Sequence, residues 1–126
     1  MQNYLGVDGP ANGRILSTNM RENGATLAGA GFCNPGIECE IALRTGSDAE
    51  DKIYTRETIG GIIESVLPAI DIVENRYDDF LARRTPTLIS DDFFHKACVL
   101  GLPVTDWRDI DLAAIAGWTG VDWTEK

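Results

Sequence analysis

Soft metal ligands are scarce in this chain of 126 residues, which has one histidine, His95, and three cysteines, Cys33, Cys39 and Cys98. No Cys or His stands at ligand spacing from His95, so a zinc site is not expected. The cysteine count is odd, no C-x-x-C occurs, and Cys39 and Cys98 lie inside apolar runs, which predicts buried, reduced thiols. Basic residues are also few: 11 Lys and Arg stand against 20 Asp and Glu, for a net charge of −9. Nucleic acid is thereby disfavoured as a partner, because phosphate contacts need clustered Lys and Arg. The densest basic spot, Arg83-Arg84 with Arg76 upstream, reads as a solvated turn. No apolar run approaches the ~20 residues that cross a bilayer, so no membrane partner is expected. The opening stretch MQNYLGVDGPANG has neither the basic region nor the apolar core of a secretory signal, and the expected compartment is the cytoplasm.

What remains is a soluble globular composition, 44% hydrophobic and 25% charged, of a length that suits one domain over residues 1–126. Residues 1–36 are rich in Gly, Asn and Pro, which predicts short strands between turns. The segment 37-IECEIAL-43 alternates with a period of two, placing Ile37, Cys39, Ile41 and Leu43 on one face and Glu38, Glu40 and Ala42 on the other. This predicts a strand. Thr55 is a candidate cap for a helix in which Ile59, Ile62, Ile63 and Val66 form one apolar face and which Pro68 ends. A second strand follows at 69-AIDIVEN-75, then a polar excursion over 76–87 and a short buried strand at 97-ACVLG-101. The pattern at 103–118 fits a loop followed by either a strand or a helix, and the polar tail shows no closing element. Trp107, Trp118 and Trp123 read as packing anchors.

Three acids carry the chemistry. Glu38 and Glu40 share one face of one strand with Cα atoms about 6.5–7 Å apart, and like charges that close call for water or a cation between them. Asp71 interrupts an otherwise apolar strand, where a carboxylate without partners is costly. Such acids on two strands suit a hard cation such as Mg²⁺, which takes oxygen ligands and keeps positions for water or substrate. Spacing alone leaves both readings open, a solvated strand face and a cation site.

The runs 36-GIECEIAL-43, 67-LPAIDIVENRY-77 and 98-CVLG-101 resemble the 2-keto-4-pentenoate hydratase family of the fumarylacetoacetate hydrolase superfamily. The similarity extends from 5-LGVDGPANGRI-15 to 106-DWRDIDLAAIAG-117. The resemblance implies an α+β fold, a mixed β-sheet roll with flanking helices, here incomplete. It implies that Glu38, Glu40 and Asp71 bind Mg²⁺ or Mn²⁺, and that the activity is water addition to a 2-hydroxy-dienoate or 2-oxo-enoate in aromatic catabolism. The partner would be a small 2-oxo or 2-hydroxy-dienoic acid. An incomplete sheet leaves exposed edges, so a homo-oligomer is expected.

The chain departs from the family pattern in several places. The third ligand is usually Glu in hydratases, and Asp71 is one methylene shorter, as in superfamily C–C hydrolases and decarboxylases, which form the alternative reading. Where hydratases carry Ala-Asp-Asn-Ala-Ser, this chain has 90-SDDFFHKA-97. The family's active-site lysine has no counterpart among Lys52, Lys96 and Lys126, and its long β-rich C-terminal half is absent, so the chain reads as the middle of such a domain. That leaves a reading of another class, an inactive metal-binding or interaction fragment. The catalytic group is not assigned; Asp92 and His95 are candidates, His95 as a proton shuttle. Arg76 is a candidate for binding a substrate carboxylate, beside a structural role as the partner of an acid.

Overall fold

The computed structural model describes residues 6–122, 124 and 125. The alternation at 37–43 forms a strand, and it runs longer than the pattern required. Four strands, β1 (Met20–Glu22), β2 (Pro35–Thr45), β3 (Ile63–Glu74) and β4 (His95–Leu100), make one sheet in the order β1-β4-β3-β2. β1 and β4 are parallel, with Met20 opposite Cys98. β3 runs against both its neighbours. Glu74 N–H donates to Phe94 O and Gly101 N–H to Pro68 O on one side, while Asn75 N–H donates to Asn34 O and Gly46 N–H to Ile62 O on the other. The sheet is therefore mixed. A separate antiparallel pair, β5 (Gly120–Val121) with β6 (Thr124–Glu125), closes the tail that the sequence left open.

The helix expected after Thr55 does not form. A 3-10 turn covers Ile59–Ile62, and β3 begins at Ile63 and continues through Pro68. The apolar positions 59, 62, 63 and 66 fit a helical face, but Ile63, Ser65, Leu67 and Ala69 alternate equally well, and all four are buried. Gly60 and Gly61 cost a helix roughly 1 kcal/mol each and Pro68 roughly 3, whereas β-branched Ile and Val suit a strand. The strand wins, and the two elements read separately are one. Pro68 is accommodated because its carbonyl still accepts from Gly101 N–H, at 2.8 Å. Gly101 has to be glycine for this approach, since a Cβ there would stand 2.7 Å from Pro68 Cγ. In the undecided stretch, Val104 forms a single antiparallel bridge to Val66 and a 3-10 turn covers Trp107–Asp109.

The chain divides into two compact units, Met1–Glu38 with Ile70–Leu100, and Cys39–Ala69 with Gly101–Lys126. The second unit buries Ile63, Val66, Leu67 and Ala69. Arg108 donates to the carbonyls of Gly60 and Ile63 and lies over the Trp107 ring, which ties the start of β3 to the later segment. Trp107 is half-buried, as an anchor should be, but Trp118 is 76% exposed, against the expectation of an anchor; Trp123 lies outside the described residues. The first unit contains the only α-helix among the described residues, α1 (Thr85–Ser90), with Pro86 in its first turn, where a missing N–H is harmless. Leu88 of α1 is fully buried. No helix of the described residues is long and apolar enough to cross a membrane.

Two expectations about burial are corrected. Cys98 is buried, but Cys33 and Cys39 are exposed, and none of the three forms a disulfide. In β2 the apolar residues are not covered: Ile37, Ile41 and Leu43 are 49%, 42% and 53% exposed, and of the opposite face Glu38 and Ala42 are half-buried while Glu40 is exposed. β2 is one of the two edge strands of its sheet, and its apolar residues are exposed among the described residues.

Glu74 closes β3 as a buried acid. Its carboxylate accepts from Asn34 N–H at 2.6 Å and from Cys33 N–H at 3.0 and 3.1 Å. The Asn34 amide, ahead of the opposing cost of burial, holds its pKa below the ordinary Glu value; the Cys33 amide and the charges of Lys96 and Arg76 add to the lowering. A carboxyl depressed in the folded state contributes stability above its unfolded pKa and loses it as pH falls through the folded one. Glu74→Gln is therefore expected to lower the denaturation midpoint at neutral pH and to flatten its fall between neutrality and roughly pH 3, which urea titrations across that range would measure. Leu88→Ala, which empties a fully buried site, is expected to cost about 2–5 kcal/mol in the same experiment.

Candidate functional site

Asp71 sits in β3 on the same pleat face as Ile63, Ser65, Leu67 and Ala69, so the strand carries it into covered surroundings, with its side chain 23% exposed. There it meets His95, the first residue of β4, whose side chain is only 5% exposed. His95 Nδ1 and Asp71 Oδ1 are 2.8 Å apart. A carboxylate can only accept, so the ring is assigned with the proton on Nδ1, donating to Asp71. His95 Nε2 is buried and finds no hydrogen-bond partner among the described residues. Two residues singled out separately in the sequence, one as a ligand acid and one as a proton-transfer candidate, are thus in direct contact.

The turn that delivers His95 is unusual. Asp92, Phe93 and Phe94 have φ of 54°, 50° and 71°, three successive side-chain-bearing residues in the left-handed region. Its first half is a helix ending. Phe93 N–H donates to Leu88 O and Asp92 N–H to Ile89 O, the paired bonds of a Schellman motif, in which the left-handed position after the C-cap falls on Asp92. Asp and Asn tolerate that conformation better than other non-glycine residues. Continuing left-handed through two phenylalanines costs roughly 1–2 kcal/mol per residue, and local contacts hold it. Asp91 Oδ2 accepts from Phe94 N–H at 3.1 Å and from Arg76 Nη1 at 2.8 Å, and Arg76 Nη2 donates to the His95 carbonyl at 2.7 Å. Phe94 packs edge-on against Tyr77 and Phe80.

Arg76 therefore uses both terminal nitrogens on the turn that precedes β4. Asp92 faces Gly13, where an added Cβ would collide with its Oδ1. Glu38, half-buried on β2, belongs to the same unit as Asp71 and His95, and Glu40, exposed, belongs to the other unit. Among the described residues no three His, Cys, Asp or Glu side chains stand together as a ready-made metal shell. The donor chemistry nonetheless suits a hard cation: Glu38, Glu40 and Asp71 offer carboxylate oxygens only, and the Asp71 side chain is reachable from solvent. Sequence reasoning missed Glu74, whose place at the end of an apolar strand was the only signal, and it missed the pairing of Asp71 with His95, residues 24 apart in the chain.

No protein-family profile matches the chain. It is 32% identical over 118 residues to a 2-hydroxyhexa-2,4-dienoate hydratase of Comamonas testosteroni, covering 92% of this chain and 44% of that protein. It is 30% identical over 116 residues to 2-keto-4-pentenoate hydratase 2 of Dechloromonas aromatica (strain RCB), with the same coverage of 92% and 44%. Its fold matches that of a 4-oxalocrotonate decarboxylase from Pseudomonas putida G7, solved with magnesium and adipate, at a TM-score of 0.72 and 18% identity, over 82% of this chain and 40% of that one. The chain is thus similar to hydratases of this kind over nine-tenths of its own length and spans less than half of theirs.

Proposed function

We propose that the chain acts in a divalent-cation-dependent lyase that adds water to a small 2-hydroxy-dienoic or 2-oxo-enoic acid. The observation that carries this reading is the similarity to curated hydratases over nine-tenths of the chain. That stretch includes the Glu38-x-Glu40 pair of β2 and the acid Asp71 of β3. Glu38, Glu40 and Asp71 would hold the ion. Bound there, Mg²⁺ or Mn²⁺ would supply Lewis acidity and a template for the substrate's carboxylate and 2-oxygen.

The remaining work falls to this chain's own groups. Water addition to a conjugated acid requires a proton to be moved at the dienoate carbon chain. Asp92 and His95 are the candidates, one at the left-handed turn and one at the start of β4. Arg76 is the candidate for pairing with the substrate carboxylate, although its two terminal nitrogens are engaged by Asp91 and the His95 carbonyl. A second reading, decarboxylation of a 2-oxo acid on the same carboxylates, draws on Asp71 standing where hydratases usually carry Glu. The exposed apolar face of the edge strand β2 supports self-association.

Calorimetry with Mg²⁺ and Mn²⁺ tests the ligand set: the wild-type chain is expected to bind and Glu38→Ala/Glu40→Ala to lose binding at least tenfold. Equal binding by the two removes these ligands. Incubation of the chain and metal with a 2-hydroxy-dienoate tests the reaction, with loss of dienoate absorbance expected for hydration and release of CO₂ from a 2-oxo-dioic acid for decarboxylation. Silence in both assays, in a protein that binds the metal, removes the enzymatic reading.

A further inference from the structure

An edge strand offers its outer row of amides and carbonyls to any extended chain, and short edges offer little. The two edges of the sheet differ in this respect: β1 has 3 residues and β2 has 11. Asn34 O and Gly46 N–H are bonded to the β3 side. Backbone groups along an antiparallel strand face alternate sides, so those of Cys39, Ile41, Leu43 and Thr45 face away from β3. No strand of the described residues pairs with that outer side. The side chains are open too: Cys39, Glu40, Ile41, Leu43, Arg44 and Thr45 are exposed, and Ala42 is half-buried. Neither Glu40 nor Arg44 makes an ion pair among the described residues. The whole stretch 39–45 belongs to the second unit.

We propose that β2 is the interface with a second copy of this chain, the two strands pairing antiparallel about a two-fold axis at Ala42. Charge selects both the partner and the register. A centre at Cys39 sets Glu38 of one copy against Glu40 of the other, and a centre at Glu40 sets that acid against itself. Like charges directly opposite are unfavourable, the more so between copies that each carry −9. A centre at Ala42 sets Glu40 against Arg44 at both ends of the pairing, so the strand is complementary to its own antiparallel image. These pairs fall at the positions without mutual hydrogen bonds, where opposed side chains stand closer. Ile41 then lies beside Leu43, and each apolar stripe flanks the other. A centre at Ile41 would use Glu38 instead, but Glu38 is half-buried and Glu40 is the exposed acid. The pairing specifies the self-association named above and depends on neither the cation nor the reaction.

Sedimentation equilibrium of the whole chain, with a chelator present so that no divalent ion occupies the acids, is expected to show a dimer. Arg44→Glu and Glu40→Arg are each expected to weaken it about tenfold or more, because either change sets like charges opposite at both ends. An equimolar mixture of the two variants is expected to regain the wild-type association, since every contact of position 40 with position 44 then joins an acid to an arginine. That recovery also shows that both variants are folded. A monomeric wild type, which leaves β2 to some other chain, overturns the proposal, as does a mixture that associates no better than its components. The register is read by cross-linking in a chain with Cys33 and Cys39 replaced by serine. There Ala42→Cys is expected to give a disulfide-linked dimer on mild oxidation, because position 42 meets itself across the axis, and Ile41→Cys is expected to stay unlinked. Linkage through Ile41→Cys in place of Ala42→Cys overturns the register, and with it the proposal, while self-association by itself stands.

Discussion

A carboxylate placed in a covered strand must find hydrogen-bond donors, and β3 has two of them to satisfy. Asp71 and Glu74 lie three residues apart, on opposite faces of the pleat, and draw their donors from different parts of the chain. Glu74 takes the backbone amides of Cys33 and Asn34, just ahead of β2, and Asp71 takes the ring of His95, at the head of β4. An isolated buried charge would cost several kcal/mol even after relaxation. The segments on either side of β3 are therefore fixed where the two acids need them, and the first unit is organised about this requirement as much as about its small apolar core.

The two acids differ in what they leave available. Glu74 is 4% exposed and both its oxygens are committed to amides, so it is a staple between β3 and the 33–34 turn with nothing to offer a ligand. Asp71 is partly exposed and engages His95 through one oxygen. On one strand, then, the deeper acid serves the fold and the shallower one is open to chemistry. The distinction follows from the donors: backbone amides converge on both oxygens of a carboxylate, whereas a single imidazole nitrogen holds one.

The sequence displayed β2 clearly, because seven alternating residues admit only a period of two. It displayed β3 in halves, because Ile59, Ile62, Ile63 and Val66 satisfy a helical period while Ile63 to Ala69 satisfy a strand period; the glycines and the proline were the deciding residues. The three acids could be found as residue types, but their company could not. The contact of Asp71 with His95 depends on the left-handed turn at Asp92 to Phe94, and nothing in Asp-Asp-Phe-Phe signals three positive φ angles, which glycine or asparagine would have announced. Burial of β2 was misjudged for a different reason. Alternation tells which residues share a face and says nothing of whether another layer covers it.

That exposed face bears on the site as well as on assembly. Ile37, Cys39, Ile41 and Leu43 present an apolar stripe to solvent on an edge strand of 11 residues, the arrangement that soluble proteins usually blunt with charge, proline or a covering layer. Here the charges are on the other side of the same strand, as Glu38 and Glu40, and so cannot protect it. A strand whose one face is given to carboxylates and whose other face is apolar is constrained on both: moving the register by a single residue would exchange them. Whatever covers the apolar side, whether a second copy or the region that the relatives have and this chain does not span, would pin that register. The order of β2, and with it the directions in which Glu38 and Glu40 point, is thus tied to the covering of a face that carries no chemistry of its own.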